Sequence, residues 1–212
     1  MNSQAGVDGA ASISRVQRKR GRRIQEILTT AAELFGERGY DAVSLDDVAE
    51  RLDVTKGSLY YYFASKDELA VAAIETLGAN WTARLERLAD TQGGSACDRL
   101  RALIREHMAI AVGEYPAALR LFLAPSTWPD DPRARIKELR RRHDRVFRGI
   151  VEEGVAAGEF TVTTVETTLQ CMHAAMAQAP LWTAGLDVPE CDECLDELTH
   201  TLMKLVASPA EN

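Results

Sequence analysis

The stretch from Ala31 to Leu69, AAELFGERGYDAVSLDDVAERLDVTKGSLYYYFASKDEL, decides how the rest of the chain is read. It enters on a helical pattern. From Arg18 to Arg38, the residues Ile24, Ile27, Leu28, Ala31, Leu34 and Phe35 recur at three- and four-residue spacing. The pattern stops at Gly36–Gly39, where Gly39 can take the left-handed position past a helix end. Ser44-Leu-Asp-Asp47 resembles a capping box and opens a second, short helix with Val48, Ala49 and Leu52 on its apolar side. Asp53-Val54 turns the chain, and Thr55 can cap a third short helix through Tyr62. Ser65-Lys-Asp-Glu68 is another capping box. It opens a helix to about Asp90 with Leu69, Ala73, Leu77, Trp81, Leu85 and Leu88 as one stripe. The lengths and the tight turn are those of a helix-turn-helix. Helices this short are not held by propensity alone, so they must pack on their neighbours.

The exposed side of the third helix carries Thr55, Lys56, Ser58, Tyr61 and Tyr62, which are hydroxyl groups and one cation. Such groups suit phosphate oxygens and base edges in a major groove. A plainer account makes Tyr60 and Phe63 core and the rest incidental surface. Charge favours the first account. Arg15, Arg18, Lys19, Arg20, Arg22 and Arg23 crowd into nine positions without an acid among them. Residues 1–66 carry 10 basic and 9 acidic groups, whereas 67–212 carry 15 and 23, within an overall net charge of -7. A basic segment on an acidic protein points to a polyanion, because clustered Lys and Arg release counterions from nucleic acid. By itself it does not separate DNA from RNA or an anionic membrane.

The 31–69 stretch resembles the DNA-binding domain of the tetracycline-repressor (TetR) family of bacterial transcriptional regulators. The likeness rests on the glycine-terminated first helix, the Ser before an acidic short helix, and Val54-Thr-Lys-Gly-Ser-Leu-Tyr-Tyr-Tyr-Phe63 followed by Ser65-Lys66. Asp53 departs from the family's usual glycine, a change that Asp tolerates in a left-handed turn. The resemblance implies a role for each position. Ser44 would touch phosphate, Thr55, Lys56, Gly57 and Ser58 would begin the recognition helix, and Tyr61 and Tyr62 would reach bases or backbone. Tyr60 would lie between core and phosphate. Lys66 would bind phosphate at a helix N-terminus. Arg18, Arg20, Arg22 and Arg23 would reach the backbone or an adjacent minor groove, with Arg51 assisting.

The family likeness also implies an all-α fold, here about nine helices. A disordered basic tail would span 1–17, the reading head 18–66, and a helical regulatory, ligand-binding and dimerisation domain 67–212. Helices are expected from Cys97 to Val112, Pro116 to Pro125, Asp131 to Ala157, 163–184 (broken or ended around Pro180) and 188–207. The last two would form a homodimer interface with Ala174, Ala175, Leu195, Leu198, Leu202 and Leu205. That arrangement would match a palindromic double-stranded operator. Candidates for an effector pocket are Trp81, His107, Met108, Tyr115, Phe122, Trp128, Phe147, Met172, Met176 and Trp182. Aromatic and Met residues at helical spacing are more often core than pocket. Arg140, Arg141, Arg142 and Arg145 form a second basic run, either a solvated face or a seat for an anionic head group such as coenzyme A phosphates. His143 and His173 could be metal ligands, though such histidines are usually satisfied core residues. No metal and no cofactor is expected.

Other classes find little support. A hydrophobic fraction of 46% is ordinary for a globular chain. No run of about 18 apolar residues implies a membrane span, and no apolar segment marks a secretory signal, so a cytoplasmic bacterial protein is expected. There is no nucleophile elbow, phosphate-cradling glycine loop or HExxH, so an enzyme is not expected. Cys191-Asp-Glu-Cys194 is the one chemical handle. It reads as two thiols on a polar helical turn, with a redox or metal sensor as the sharper alternative.

Overall fold

A computed structural model describes residues 5–113 and 130–206, with side chains from 15–113 and 133–206. Helices follow in the order α1 (Ala5–Arg38), α2 (Leu45–Arg51), α3 (Lys56–Tyr60), α4 (Lys66–Thr91), α5 (Ala96–Gly113), α6 (Asp130–Ala156), α7 (Val165–Met176), α8 (Ala179–Trp182) and α9 (Val188–Met203). No strand occurs among the described residues, including the β-prone 161–165. The architecture is all-α.

Most starts are written in hydroxyls and carboxylates. Ser44, Thr55, Ser65, Thr164 and Asp187 each accept a hydrogen bond from a backbone N–H in the first turn of the helix they precede. Each thereby satisfies a donor that the helix leaves orphaned. Between α2 and α3, Asp53 holds φ 51°, the one left-handed non-glycine among the described residues. That conformation lets the Val54 N–H reach the Ala49 carbonyl at 3.0 Å and folds α3 back across α2.

Two expectations need correction or restriction. Helix α1 already runs from Ala5, where a disordered tail over 1–17 was expected. No proline interrupts the segment and Arg, Lys, Gln and Ala are good helix formers. The chain from Arg15 to Arg22 is exposed, so apolar periodicity carried no signal of it. The 163–184 stretch breaks as expected around Pro180, which enters at the first turn of α8 after α7 has ended. The expected 116–125 helix lies outside the described residues.

The interior divides into two cores. The first holds Ile27, Leu28, Ala31, Leu34 and Phe35 of α1, Val48 and Ala49 of α2, Leu59 and Phe63 around α3, and Leu69 to Leu77 of α4. It also takes in Ile136 of α6. The second begins at Trp81 of α4 and gathers α5, the C-terminal half of α6, α7 and α9. Helix α4 therefore belongs to both, and the first core does not stop at Lys66.

At the end of α6, Phe160 folds back so that its N–H reaches the Gly154 carbonyl at 3.1 Å. The Phe160 ring lies where a Cβ on residue 154 would stand. Phe160 is buried in the second core and has little room to yield. Gly154→Ala is expected to lower the unfolding free energy by about 1–3 kcal/mol, read from urea denaturation. Unchanged stability would show that the ring moves aside freely.

Candidate nucleic-acid interface and an interior histidine cavity

Helix α3 is only five residues long and is anchored by one buried side chain, Leu59. Phe63 just beyond it is buried too. The rest of the segment faces water. Thr55, Lys56, Gly57 and Ser58 are exposed, Tyr61 is 71% exposed and Tyr60 is 44% exposed. Tyr60 is therefore surface, contrary to the plainer account, whereas Tyr62 packs partly against the first core. Gly57 has nothing within 4 Å of where a Cβ would stand, so its bare backbone is open to a close approach.

The cations around this face are already held by weak partners. Lys56 Nζ pairs with Asp46 at 2.6 Å and lies 5.7 Å from the Tyr60 ring centre. The Asp46 carboxylate beside it raises the Lys56 pKa. Arg20 sits 5.9 Å from the Tyr61 ring centre, which brings the basic run of α1 to the edge of α3. Arg23 pairs with Glu26, whereas Arg18 and Arg22 are exposed. Arg51 is paired with Glu37 at 3.2 Å. Exposed pairs of this kind are worth about 0–1 kcal/mol, so phosphate oxygens can take these cations at little cost.

Two expected phosphate ligands are more committed. Ser44 is the cap of α2, and its N–H and hydroxyl both face the Asp47 carboxylate, which holds the Asp47 pKa down. Lys66 is half-buried, donates to the Tyr40 carbonyl at 3.1 Å and lies 4.2 Å from the Tyr40 ring centre. Tyr40 in turn donates its hydroxyl to Asp67. This Tyr40 post fixes the start of α4 beneath α3. Sequence reasoning passed over it, since a tyrosine after Gly39 carries no periodic signal.

The second site is interior. A cavity of about 270 Å³ is lined by Gly78, Trp81 and Thr82 of α4, His107 of α5, Leu139, Arg140, His143 and Asp144 of α6, and His173 and Ala177 at α7. His107 Nδ1 lies 3.0 Å from His143 Nε2, and the rings of His143 and His173 are centred 5.0 Å apart. Phe147 packs against all three imidazoles. Burial pulls the pKa of His107 down to about 3, helped by His173. Burial, then His107 and His173, push His143 well below its ordinary value, and burial also lowers His173. The cluster is neutral at pH 7. His173 Nε2 is buried with no hydrogen-bond partner among the described residues.

Of the expected pocket residues, Trp81 and His107 line this cavity and Phe147 backs it. Met108, Met172 and Met176 are fully buried in the second core and do not line it. Trp182 is 49% exposed, at the outer end of a short helix whose Ala179 is buried in the second core, and is corrected from pocket to surface. Tyr115, Phe122 and Trp128 lie outside the described residues. The second basic run splits by helical geometry. Arg142 grips Glu86 through two bonds of 2.7 and 2.5 Å, Arg141 and Arg145 lie 3.8 and 3.6 Å from Glu138, and Arg140 turns to the cavity. His143 and His173 are packed rings. Among the described residues, no group of three or more His, Cys, Asp or Glu is arranged for a metal.

The expected dimer stripe also divides. Leu195 and Leu202 are 2% and 5% exposed, buried in their own chain where α9 packs on α5, so they cannot form an interface. Leu198 and Ala175 are partly covered, whereas Ala174 and Leu205 are exposed. Apolar surface instead concentrates at Leu181, Trp182, Leu186 and Val188. Cys191 and Cys194 are free thiols, half-buried on α9.

A helix-turn-helix head on an all-α body defines a class of DNA-binding regulators. Comparison with known proteins agrees. Residues 27–73 match the family described as bacterial regulatory proteins, tetR family, and residues 93–184 match the tetracyclin repressor-like C-terminal domain. The chain belongs to the TetR family of bacterial transcriptional regulators. It is similar to the fatty acid metabolism regulator protein of Bacillus subtilis, with 24% identity over 134 residues, 63% of this chain and 69% of that one. Other curated relatives are matched over less than half of their own length. A TetR/AcrR-family regulator from Thermobifida fusca superposes with TM-score 0.64 at 27% identity, covering 86% of this chain and 97% of that one. AibR, solved with isovaleryl coenzyme A and operator DNA, superposes with TM-score 0.71 at 21% identity, over 86% and 97% of the two chains. No helix among the described residues is long and apolar enough to cross a membrane.

The buried histidines make the fold acid-sensitive. His107 ordinarily titrates at 6.5 but in the folded chain only at about 3. Below pH 6.5 the unfolded chain binds a proton that the folded chain does not, so stability falls as pH falls through that window. At about 1.4 kcal/mol per pH unit, His107 alone costs about 2 kcal/mol by pH 5. Denaturant titrations at pH 7.5 and 5 should show this loss, and His107→Gln should shrink it. An equal pH dependence in that variant would exclude His107 as its source.

Proposed function

We propose that this protein is a homodimeric repressor that binds a palindromic operator and is released from it by a small hydrophobic or acyl-CoA-like effector. The observation that carries the DNA half is the exposed face of α3. A five-residue helix held by Leu59 alone presents Thr55, Lys56, Gly57, Ser58, Tyr60 and Tyr61 to water, beside the basic run of α1. In a two-fold dimer, two such helices would enter successive major grooves about 34 Å apart. In this reading the protein works in the bacterial cytoplasm, on the nucleoid when bound.

The effector half is supported by the cavity between α4 and α6, the helices that also meet the first core. A guest that binds two spacings of these helices with different affinity shifts the population of DNA-competent dimers. AibR binds isovaleryl coenzyme A; a related acyl effector here is by analogy. The dimer half is supported by the exposed Leu181, Trp182, Leu186 and Val188, a concentration of large apolar side chains that a monomer would leave in water.

Fluorescence anisotropy should be run on DNA from upstream of the protein's own gene, against scrambled DNA, at near-physiological salt. A preference of about a thousandfold or more is expected. Tyr61→Ala should cost about ten- to a hundredfold on the specific site, a base-contact loss of 1–3 kcal/mol, and little on scrambled DNA. Equal binding to both DNAs, confirmed by a genome-wide selection that finds no preferred sequence, would leave a nonspecific binder. In sedimentation velocity, Trp182→Glu is expected to move the protein from dimer to monomer. A dimer unaffected by that charge would place the interface elsewhere.

A further inference from the structure

We propose that the histidine-lined cavity between α4, α5, α6 and α7 is a site for a small organic carboxylate of about ten to twelve non-hydrogen atoms in all, seated through Arg140 and His173. This rests on the ligand-responsive reading above and names the ligand class it left open.

Size sets the first limit. The cavity measures about 270 Å³. A cavity of about 150 Å³ holds benzene, so this one takes roughly twice that bulk. Trp81, Leu139 and Ala177 supply apolar wall for the body of the guest.

Charge sets the second. Arg140 is half-buried at the cavity and has no carboxylate partner among the described residues. Burial alone acts on its pKa, with no acid raising it. Its neighbours in the run, Arg141, Arg142 and Arg145, all have carboxylates beside them. A partly desolvated guanidinium without a counter-ion is costly, and a guest carboxylate removes that cost through a two-pronged contact. The buried Nε2 of His173 is a second polar atom awaiting a partner, and as an N–H it donates to a carboxylate oxygen. Asp144 also lines the cavity and is paired with Arg148 at 2.9 Å, which offsets part of its charge.

The test uses the purified full-length protein and isothermal titration. The probes are benzoate, 3-phenylpropionate and octanoate, each against its primary amide, with 3-phenylpropylamine and the coenzyme A thioesters of the same acids. At least one acid is expected to bind tenfold or more tightly than its amide, and Arg140→Gln should reduce that acid to the affinity of the amide. The acid–amide comparison needs no variant, so it stands even if Arg140→Gln does not fold. Acids no tighter than their amides, a preferred amine, or thioesters tighter than the free acids would each overturn the assignment. The same ligands are then added to the protein on its operator. Specific DNA binding without any acid binding sinks the carboxylate alone. Acid binding that leaves operator affinity unchanged sinks the ligand-released repressor and leaves the cavity assignment standing.

Discussion

Both cores of the molecule depend on the packing of α4 against α6, the most extensive helix pair in the structure. The first half of α4 completes the core under the reading head, and the second half starts the core of the body. Helix α6 follows it along the same line, giving Ile136 to the first core and Phe147, Ile150 and Val151 to the second. Two ion pairs stitch the seam, Arg135 with Glu75 at 3.1 Å and Arg142 with Glu86 in a two-bond fork. Arg142 holds the Glu86 pKa low, so that fork stays charged at neutral pH. The cavity opens on the same seam: Trp81 and Thr82 come from one helix, Arg140 and His143 from the other. One helix pair thus borders both the cavity and the core beneath α3.

The reading head is rigid where it must be and loose where it meets its target. Leu59 and Phe63 bury the inner side of α3, and Asp53 sets the turn that aims it. The cations on the outside wait in exchangeable pairs, Lys56 on Asp46 and Arg51 on Glu37. A negatively charged helix α2 thereby keeps the head from being a bare basic patch. That pairing tempers attraction to any polyanion.

The head was legible in the sequence because its signals are local. Capping hydroxyls, a turn residue and a short apolar pattern lie within a few positions of the structures they cause, as at Ser44, Asp53 and Thr55. The body was legible as helices but not as surfaces. Leu195 and Leu198 sit on one helix stripe, yet one is buried and the other only partly covered, and only the packing of α9 on α5 decides between them. The histidine cluster was out of reach for a further reason. His107, His143 and His173 come from three helices, and nothing in their sequence neighbourhoods says that their rings meet. Arg140 looked like one member of a charged run, and only its phase on α6 separates it from its paired neighbours.

Ile136 carries a consequence for how the chain is made. Translation delivers α1 to α4 first, and domains emerging from the ribosome generally fold from the N-terminus onward. The hydrophobic floor of the DNA-reading head is nevertheless unfinished at that moment, because Ile136 is still unsynthesised. Every residue between Leu77 and Ile136 must be added before that floor closes. A nascent or prematurely terminated chain therefore carries α3 on an incomplete support, one that is finished only when α6 has been built as well.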